Sequence, residues 1–320
     1  MDGIKILGTG YSVPEVVISN DDMAKIVDTN DEWIRTRTGI ERRHNIPEGK
    51  GLTEYGADAA LKALRMAGVL PEEIGAVIFA TLSSEYLVPA TACLIQKELG
   101  IPEDALCFDL NAACSGFIFA IHTMECLLNA SERKYGLIIG AENLSRLLDM
   151  TDRSTCILFG DGAGAAVVKS DPSYTSINAV YGSSGNKDML YVPGAQSKEP
   201  SYIHMDGTNV FKFAVSIIPQ CIEKVLAKAG KTTDDVDFYV FHQANARIID
   251  LVVRKYKIPK EKYYKNISEY GNTSAGSIPI VLGELMEQKK IGTGSRVLIV
   301  GFGGGLTWGG ALVEIGSREG

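Results

Sequence analysis

The chain repeats itself. Residues 67–80 read AGVLPEEIGAVIFA and residues 229–242 read AGKTTDDVDFYVFH, a displacement of 162 positions. Each copy ends a stretch of helical apolar spacing (54–66 and 211–228) at Ala-Gly, crosses an acidic turn and enters an apolar strand. Glycine just past a helix is a favoured cap because it adopts left-handed backbone freely. The correspondence continues in GLIIGA (136–141) against VLIVGF (297–302), and in GAGAAVV (162–168) against WGGALVE (308–314). Similarity over so long a period means duplicated domains, not a solenoid. Two related halves, 1–170 and 171–320, are expected.

Within each half, strands such as VIFA, CFDL, LIIG, YVFH and VLIV alternate with helical patterns. Strands that are apolar on both faces imply mixed or parallel sheets covered by helices, an α/β fold. The segment 115–128 is apolar nearly all round. A surface helix keeps a polar face, so this one is expected between layers. The net charge of −7 does not suggest nucleic acid binding. The N-terminal MDGIKILGTG lacks a charged leader and apolar core, and no apolar run approaches the roughly 18–20 residues of a membrane span. Cys93, Cys107, Cys114, Cys126, Cys156 and Cys221 are scattered without a CxxC pair. That is reduced-compartment usage, neither a disulfide scaffold nor a zinc site. A cytoplasmic protein off the membrane is expected.

Cys114, in AACSGF, lies where a strand pattern gives way to the apolar helix. The field at a helix start favours a thiolate. The displacement of 162 sets Cys114 against position 276, within YGNTSAGSIP, so the nucleophile candidate and the Asn272 loop take related places. His242 ends its strand where Ala80 ends the matching one. Strand ends and helix starts line the ligand crevice of open α/β sheets. Cysteine supplies a nucleophile, histidine a proton carrier or donor, and asparagine a donor that never titrates. The set suits acyl transfer through a thioester, or stabilisation of an oxyanion on a bound carbonyl. The remaining cysteines and His122 read as packing groups. FGGG (302–305) brings backbone N–H groups close to a ligand oxygen, or makes a tight turn. It lacks the GKS or GKT of a phosphate loop, and GTG (8–10) and GDGAG (160–164) lack dinucleotide spacing.

Six motifs in order, DEWIRTRTGIERR (31–43), NAACSGF (111–117), TDRSTCILFGDGAGAAV (151–167), HQANARI (242–248), YGNTSAGSIP (270–279) and FGGGLTWG (302–309), span nearly the whole chain. With them the sequence closely resembles the beta-ketoacyl-[acyl-carrier-protein] synthase III family of thiolase-like condensing enzymes. The resemblance implies a thiolase-like fold, two duplicated halves layered α-β-α-β-α. It implies that Cys114 takes an acyl group from acetyl-CoA or another short acyl-CoA, while His242 and Asn272 assist decarboxylation of malonyl-acyl carrier protein (malonyl-ACP). The product is a 3-ketoacyl-ACP, which initiates type II fatty acid synthesis. The Cys114 and Gly304 N–H groups would hold the first oxyanion. Trp33, Arg37 and Arg153 would hold the CoA head, and Lys212, Arg247, Arg254 and Lys255 would dock the acidic carrier. The run 247–262 supports that placement, with six basic and two acidic residues. A homodimer is implied, with no metal or resident cofactor, because CoA and the carrier arm are substrates.

Two departures stand out. Gly276 replaces a common alanine, a small change. Val88 stands where a phenylalanine often closes the acyl pocket across the dimer interface, so larger or branched primers are expected. The glycine loop has no cysteine, which argues against a reversible thiolase. The alternatives are a related ketosynthase of a specialised polyketide or lipid pathway, and a non-enzymatic scaffold of the same fold. The scaffold is disfavoured by the presence of Cys114, His242 and Asn272.

Overall fold

The computed structural model describes residues 2–318. Its main sheet contains β1 (Gly3–Ser12), β2 (Ile74–Ala80), β3 (Leu106–Leu110), β4 (Tyr135–Glu142), β5 (Gly162–Asp171), β6 (Val180–Ser183), β7 (Phe238–Phe241), β8 (Arg296–Gly303) and β9 (Thr307–Ile315). The spatial order is β7-β8-β9-β1-β5-β4-β2-β3, with β6 against the start of β9. β1 and β9 meet only through Lys5–Glu314 and Ile6–Ile315. That seam divides the strands into two sheets, one from each half of the chain.

Side chains alternate across a strand, so a strand apolar at every position must be covered on both faces. Val77 and Phe79 of β2, with Leu137 and Ile139 of β4, pack under α1 (Leu52–Ala67) and α2 (Thr91–Leu99). Their neighbours Ile78 and Ile138 point the other way, onto α3 (Gly116–Ala130). In the second half, Tyr239, Phe241, Leu298 and Val300 pack under α4 (Gly207–Ala229) and α5 (Ala246–Lys255). Val240, Val297 and Ile299 face inward, joining α6 (Ser277–Glu287) and α3 in one central core. The layers are therefore helix, sheet, helix, sheet, helix.

The central position of α3 explains its composition. Phe117, Ile121, Met124 and Leu128 are fully buried, and even Glu125 is buried, with Oε1 accepting from Ile177 N–H at 3.0 Å. Residues Ala113–Ala130 do have the length (18 residues) and mean hydropathy (1.2) of a membrane span, contrary to the expectation of no such run. The two sheets solvate this segment instead of lipid. Removing a fully buried ring such as Phe117 costs about 3–5 kcal/mol.

The duplication is visible in register. Ala76 pairs with Gly136 and Phe238 with Val297, both parallel; Gly136 pairs with Val168 and Val297 with Val313, both antiparallel. The glycines read as helix caps, Gly68 and Gly230, both have φ of 64°. β3 has a weaker counterpart, the single bridge Tyr239–Tyr263. β3 itself is the last strand of its sheet, and its outer edge is unpaired among the described residues.

Candidate active site

The loops that follow β3, β4 and β7, with the end of β8, help to surround a cavity of about 610 Å³. Cys114, His242 and Asn272 all line it. Each is placed by local backbone rules. The turn Ala113–Ser115 carries Cys114 into α3, and the turn Ser274–Gly276 leads into α6. Ala113 and Ser274, the first residue of each turn, both have φ of 46°. In front of each stands an asparagine whose Oδ1 accepts from the N–H two residues on, Asn111 from Ala113 (3.2 Å) and Asn272 from Ser274 (2.9 Å). An Asx turn of this kind lets a non-glycine residue hold left-handed backbone. The true counterpart of Cys114 is thus Ala275, not position 276, and Asn272 answers to Asn111. The halves lose one position relative to each other between strand and helix.

Asn272 is fixed on three sides. Its N–H donates to Leu158 O (2.9 Å), its carbonyl accepts from Gly160 N–H (3.1 Å), and its side-chain oxygen is occupied by Ser274. The carboxamide NH2 is the end left for a ligand. His242 is held by its N–H to Val300 O (2.9 Å), with its ring edge-on to Phe302. Its Nδ1 is buried without a partner. Burial lowers the imidazole to about 3, so it is neutral near pH 7. Burial also pushes the Cys114 thiol up to about 12, opposed by the hydroxyl of Ser274.

Two residues that the sequence did not single out, Glu142 and Ser274, are buried near this site without lining the cavity. Glu142, the last residue of β4, is fully buried and has no cation paired with it among the described residues. Its Oε1 accepts from Ser274 Oγ (3.0 Å), and its Oε2 from Thr81 Oγ1 (3.0 Å), Leu82 N–H (3.1 Å) and Ser83 Oγ. Burial raises this carboxyl to about 7 despite those donors. The one available signal was an acid ending a fully apolar strand.

At the mouth, Arg37 and Arg153 both stack on Trp33, with guanidinium carbons 4.5 and 4.7 Å from the ring centroid. Arg153 is oriented by donating to Asp28 O (2.7 Å). Lys212 and Arg247 also line the cavity, and Arg247 lies over Phe211. Arg254 and Lys255 do not; they are exposed at the far end of α5, about 10 Å further along. Gly303 lines the cavity; Gly304, the next residue, is not among its lining residues, and a Cβ there would meet Leu190 and Ala113. Val88 is 83% exposed and does not line the cavity of its own chain. Gly276 is more constrained than its small size suggested, since a Cβ there would lie 2.8 Å from Gly162 O. His122 is only partly satisfied: its Nδ1 makes no hydrogen bond, lies 3.8 Å from the Glu125 carboxylate, and its ring lies against Tyr181. Cys126, read as packing, is exposed.

A duplicated five-layer fold with a cysteine at a buried helix start, facing histidine and asparagine across one cavity, defines a thiolase-fold condensing enzyme, an acyltransferase. The family described as 3-oxoacyl-[acyl-carrier-protein] synthase III matches residues 108–185, and its C-terminal region matches residues 226–315. The chain is 43% identical to the beta-ketoacyl-[acyl-carrier-protein] synthase III of Clostridium acetobutylicum, over 98% of this chain and 99% of that one. The crystal structure of the Aquifex aeolicus 3-oxoacyl-[acyl-carrier-protein] synthase III superposes with a TM-score of 0.91 at 43% identity, covering 98% and 100% of the two chains. The priming beta-ketosynthase of the R1128 polyketide pathway superposes at 0.93 with 32% identity, covering 99% and 97%. The chain belongs to the beta-ketoacyl-[acyl-carrier-protein] synthase III family.

Proposed function

We propose that the protein condenses a short acyl primer, carried by CoA, with malonyl-ACP, releasing CO2 and CoA and yielding a 3-ketoacyl-ACP that starts fatty acid synthesis. The observation that carries this reading is the convergence of Cys114, His242 and Asn272 on a cavity whose mouth is a tryptophan between two arginines. Cys114 takes the acyl group. The tetrahedral oxyanion of that step is held by the Cys114 and Gly304 N–H groups, neither of which has a backbone acceptor among the described residues. Malonyl decarboxylation then generates an enolate whose oxygen sits between the neutral His242 ring and the Asn272 NH2. Both donate without first losing or gaining a proton, which suits a developing negative charge. The step needs no metal and no resident cofactor.

Trp33, Arg37 and Arg153 are assigned to the CoA head, by aromatic stacking and phosphate pairing. Lys212, Arg247, Arg254 and Lys255 form the landing strip for the carrier. Asp250, on the same helix, is neutralised by Lys265 at 2.7 Å, which leaves the positive field of that face unopposed there. The unpaired β3 edge, with Leu106 52% exposed, is a strand that another chain can extend. A cytoplasmic homodimer joined there would offer the exposed loop Tyr86–Val88 to the neighbouring site. Incubation with a short acyl-CoA followed by peptide mass determination tests the reading: one acyl mass on Cys114 is expected, and an adduct elsewhere with Cys114 free would overturn it.

A further inference from the structure

The ends of the two sheets meet the turns of the opposite halves. β4 ends at Glu142 and β8 at Gly303, equivalent positions in the register that matches Gly136 with Val297. Gly303 meets the Cys114 turn, and Glu142 meets the other turn, its Oε1 accepting from Ser274 Oγ at 3.0 Å. Ala113 and Ser274 share a φ of 46°, and in each case the preceding asparagine accepts the N–H. Alanine therefore suffices for this backbone, and the Ser274 hydroxyl is not demanded by it. The asparagines differ as well. Asn111 is exposed and outside the cavity, whereas Asn272 is buried and lines it. The hydroxyl and its buried acid occur only beside the asparagine that faces the cavity. We propose that Glu142, through Ser274, is a positioning residue for Asn272: it fixes the turn whose N–H directs the Asn272 amide, so that the NH2 and not the oxygen meets the enolate of the malonyl step.

This deepens the condensation reading and rests on it for the role of Asn272. A carboxamide can present either end to a ligand by rotating about its last bond, and only one end donates. The Ser274 N–H can only donate, so at 2.9 Å it selects the Asn272 oxygen and leaves the NH2 for the ligand. That N–H is carried on left-handed backbone, which is unfavourable for a residue with a Cβ. A bond from the side chain of the same residue to a fixed acceptor holds it there. Glu142 is such an acceptor. Its Oε2 takes Thr81 Oγ1, Leu82 N–H and Ser83 Oγ, and Ser83 Oγ accepts in turn from Asn143 N–H at 2.8 Å. With one oxygen held by three donors, the other is kept on Ser274. The chain of contacts from Glu142 to the Asn272 amide is complete in hydrogen bonds, and it joins the end of one sheet to the donor of the opposite half.

A double-mutant cycle on the malonyl step tests the role. Enzyme acylated to completion with acetyl-CoA is mixed with labelled malonyl-ACP and the release of CO2 is followed, which takes the free thiol out of the comparison. Ser274→Ala places at 274 the residue that Ala113 shows to fit the turn. It is expected to slow release about 10-fold or more with KM for malonyl-ACP unchanged, short of the 10²–10³-fold that follows loss of the donor itself. Glu142→Gln has one carbonyl oxygen and cannot serve both Ser274 and the Leu82 N–H, so it is expected to behave alike. In an Asn272→Ala background both changes are expected to have no further effect. Wild-type release from either single variant overturns the proposal. So does an equal loss in the Asn272→Ala background, which would mark a general structural role. Failure of either variant to fold, read by circular dichroism, also overturns it, because the contact would then serve the fold. No release from acylated wild type, or wild-type release from Asn272→Ala alone, sinks the condensation reading and the proposal with it.

Discussion

Gly303 lies so close to Cys114 that a Cβ on the glycine would stand 2.7 Å from the cysteine N and 2.9 Å from its Cβ. The nucleophile turn of one half is thus seated directly on the last strand residue of the other. The backbone fixes the positions of both atoms, so neither can rotate aside.

Gly303→Ala is therefore expected to displace Cys114 rather than be absorbed. A shift of about 1 Å at a reacting atom costs on the order of 10² in rate. The acylation rate constant should fall by that order, with a loss of about 1–3 kcal/mol in stability from overpacking. Rapid-quench acylation and urea denaturation would measure the two. A variant with wild-type acylation would show that the seat is not needed.

His242→Ala and Asn272→Ala each remove one donor from the enolate oxygen. Each should slow malonyl-ACP decarboxylation by about 10²–10³-fold while affecting Cys114 acylation less. Because burial holds His242 neutral near pH 7, the pH profile of His242→Ala should run parallel to wild type, only lower. Release of labelled CO2 from pre-acylated enzyme reads this directly. A limb present in wild type and absent in the variant would show that the imidazole titrates.

Arg254 and Lys255 stand outside the cavity on exposed α5, so reversing their charge should act on encounter and not on chemistry. The double change to Glu should raise KM for malonyl-ACP several-fold at low salt and less at high salt, with acyl-CoA acylation intact. An unchanged KM at low salt would return this helix end to ordinary solvated surface.

Val88 can reach an acyl pocket only in a second copy of the chain. Val88→Phe should lower isobutyryl and butyryl transfer relative to acetyl by about 10-fold or more, since a methylene in an apolar pocket is worth roughly 1–3 kcal/mol. A charged residue placed on β3, Phe108→Lys, should weaken self-association and reduce this discrimination along with it. Sedimentation and a primer panel on the same preparations test the link. Unaltered primer ratios in Val88→Phe would remove it as the gate.

The sequence exposes whatever follows from a local rule. Ile78 and Phe79 are both apolar because both faces of β2 are covered, and that pattern reads directly as a sandwiched sheet. Cys114, His242 and Asn272 each sit at a strand end or helix start, so topology carries all three to one cavity. The Glu142–Ser274 contact is different: it joins residues 132 positions apart through one hydrogen bond, and no periodicity encodes it. The one-position error at Cys114 had the same origin. Apolar strands tolerate a slipped alignment, while the paired Asx turns at Asn111 and Asn272 do not, and only their backbone angles reveal the match. Val88 shows the remaining gap, since a lone chain's sequence does not say which surface another copy covers.

The hairpins that close the two halves differ greatly in length. Residues 143–161 separate β4 from β5, whereas three residues, 304–306, separate β8 from β9. The long connection carries Arg153 to the mouth, and the short one directly follows Gly303, on which Cys114 is seated. Duplication thus left one copy of the same hairpin free to grow and the other pinned. Insertions and grafts that retune which acyl donor is admitted belong in 143–161, and the same lengthening at 304–306 would unseat the floor on which the chemistry stands.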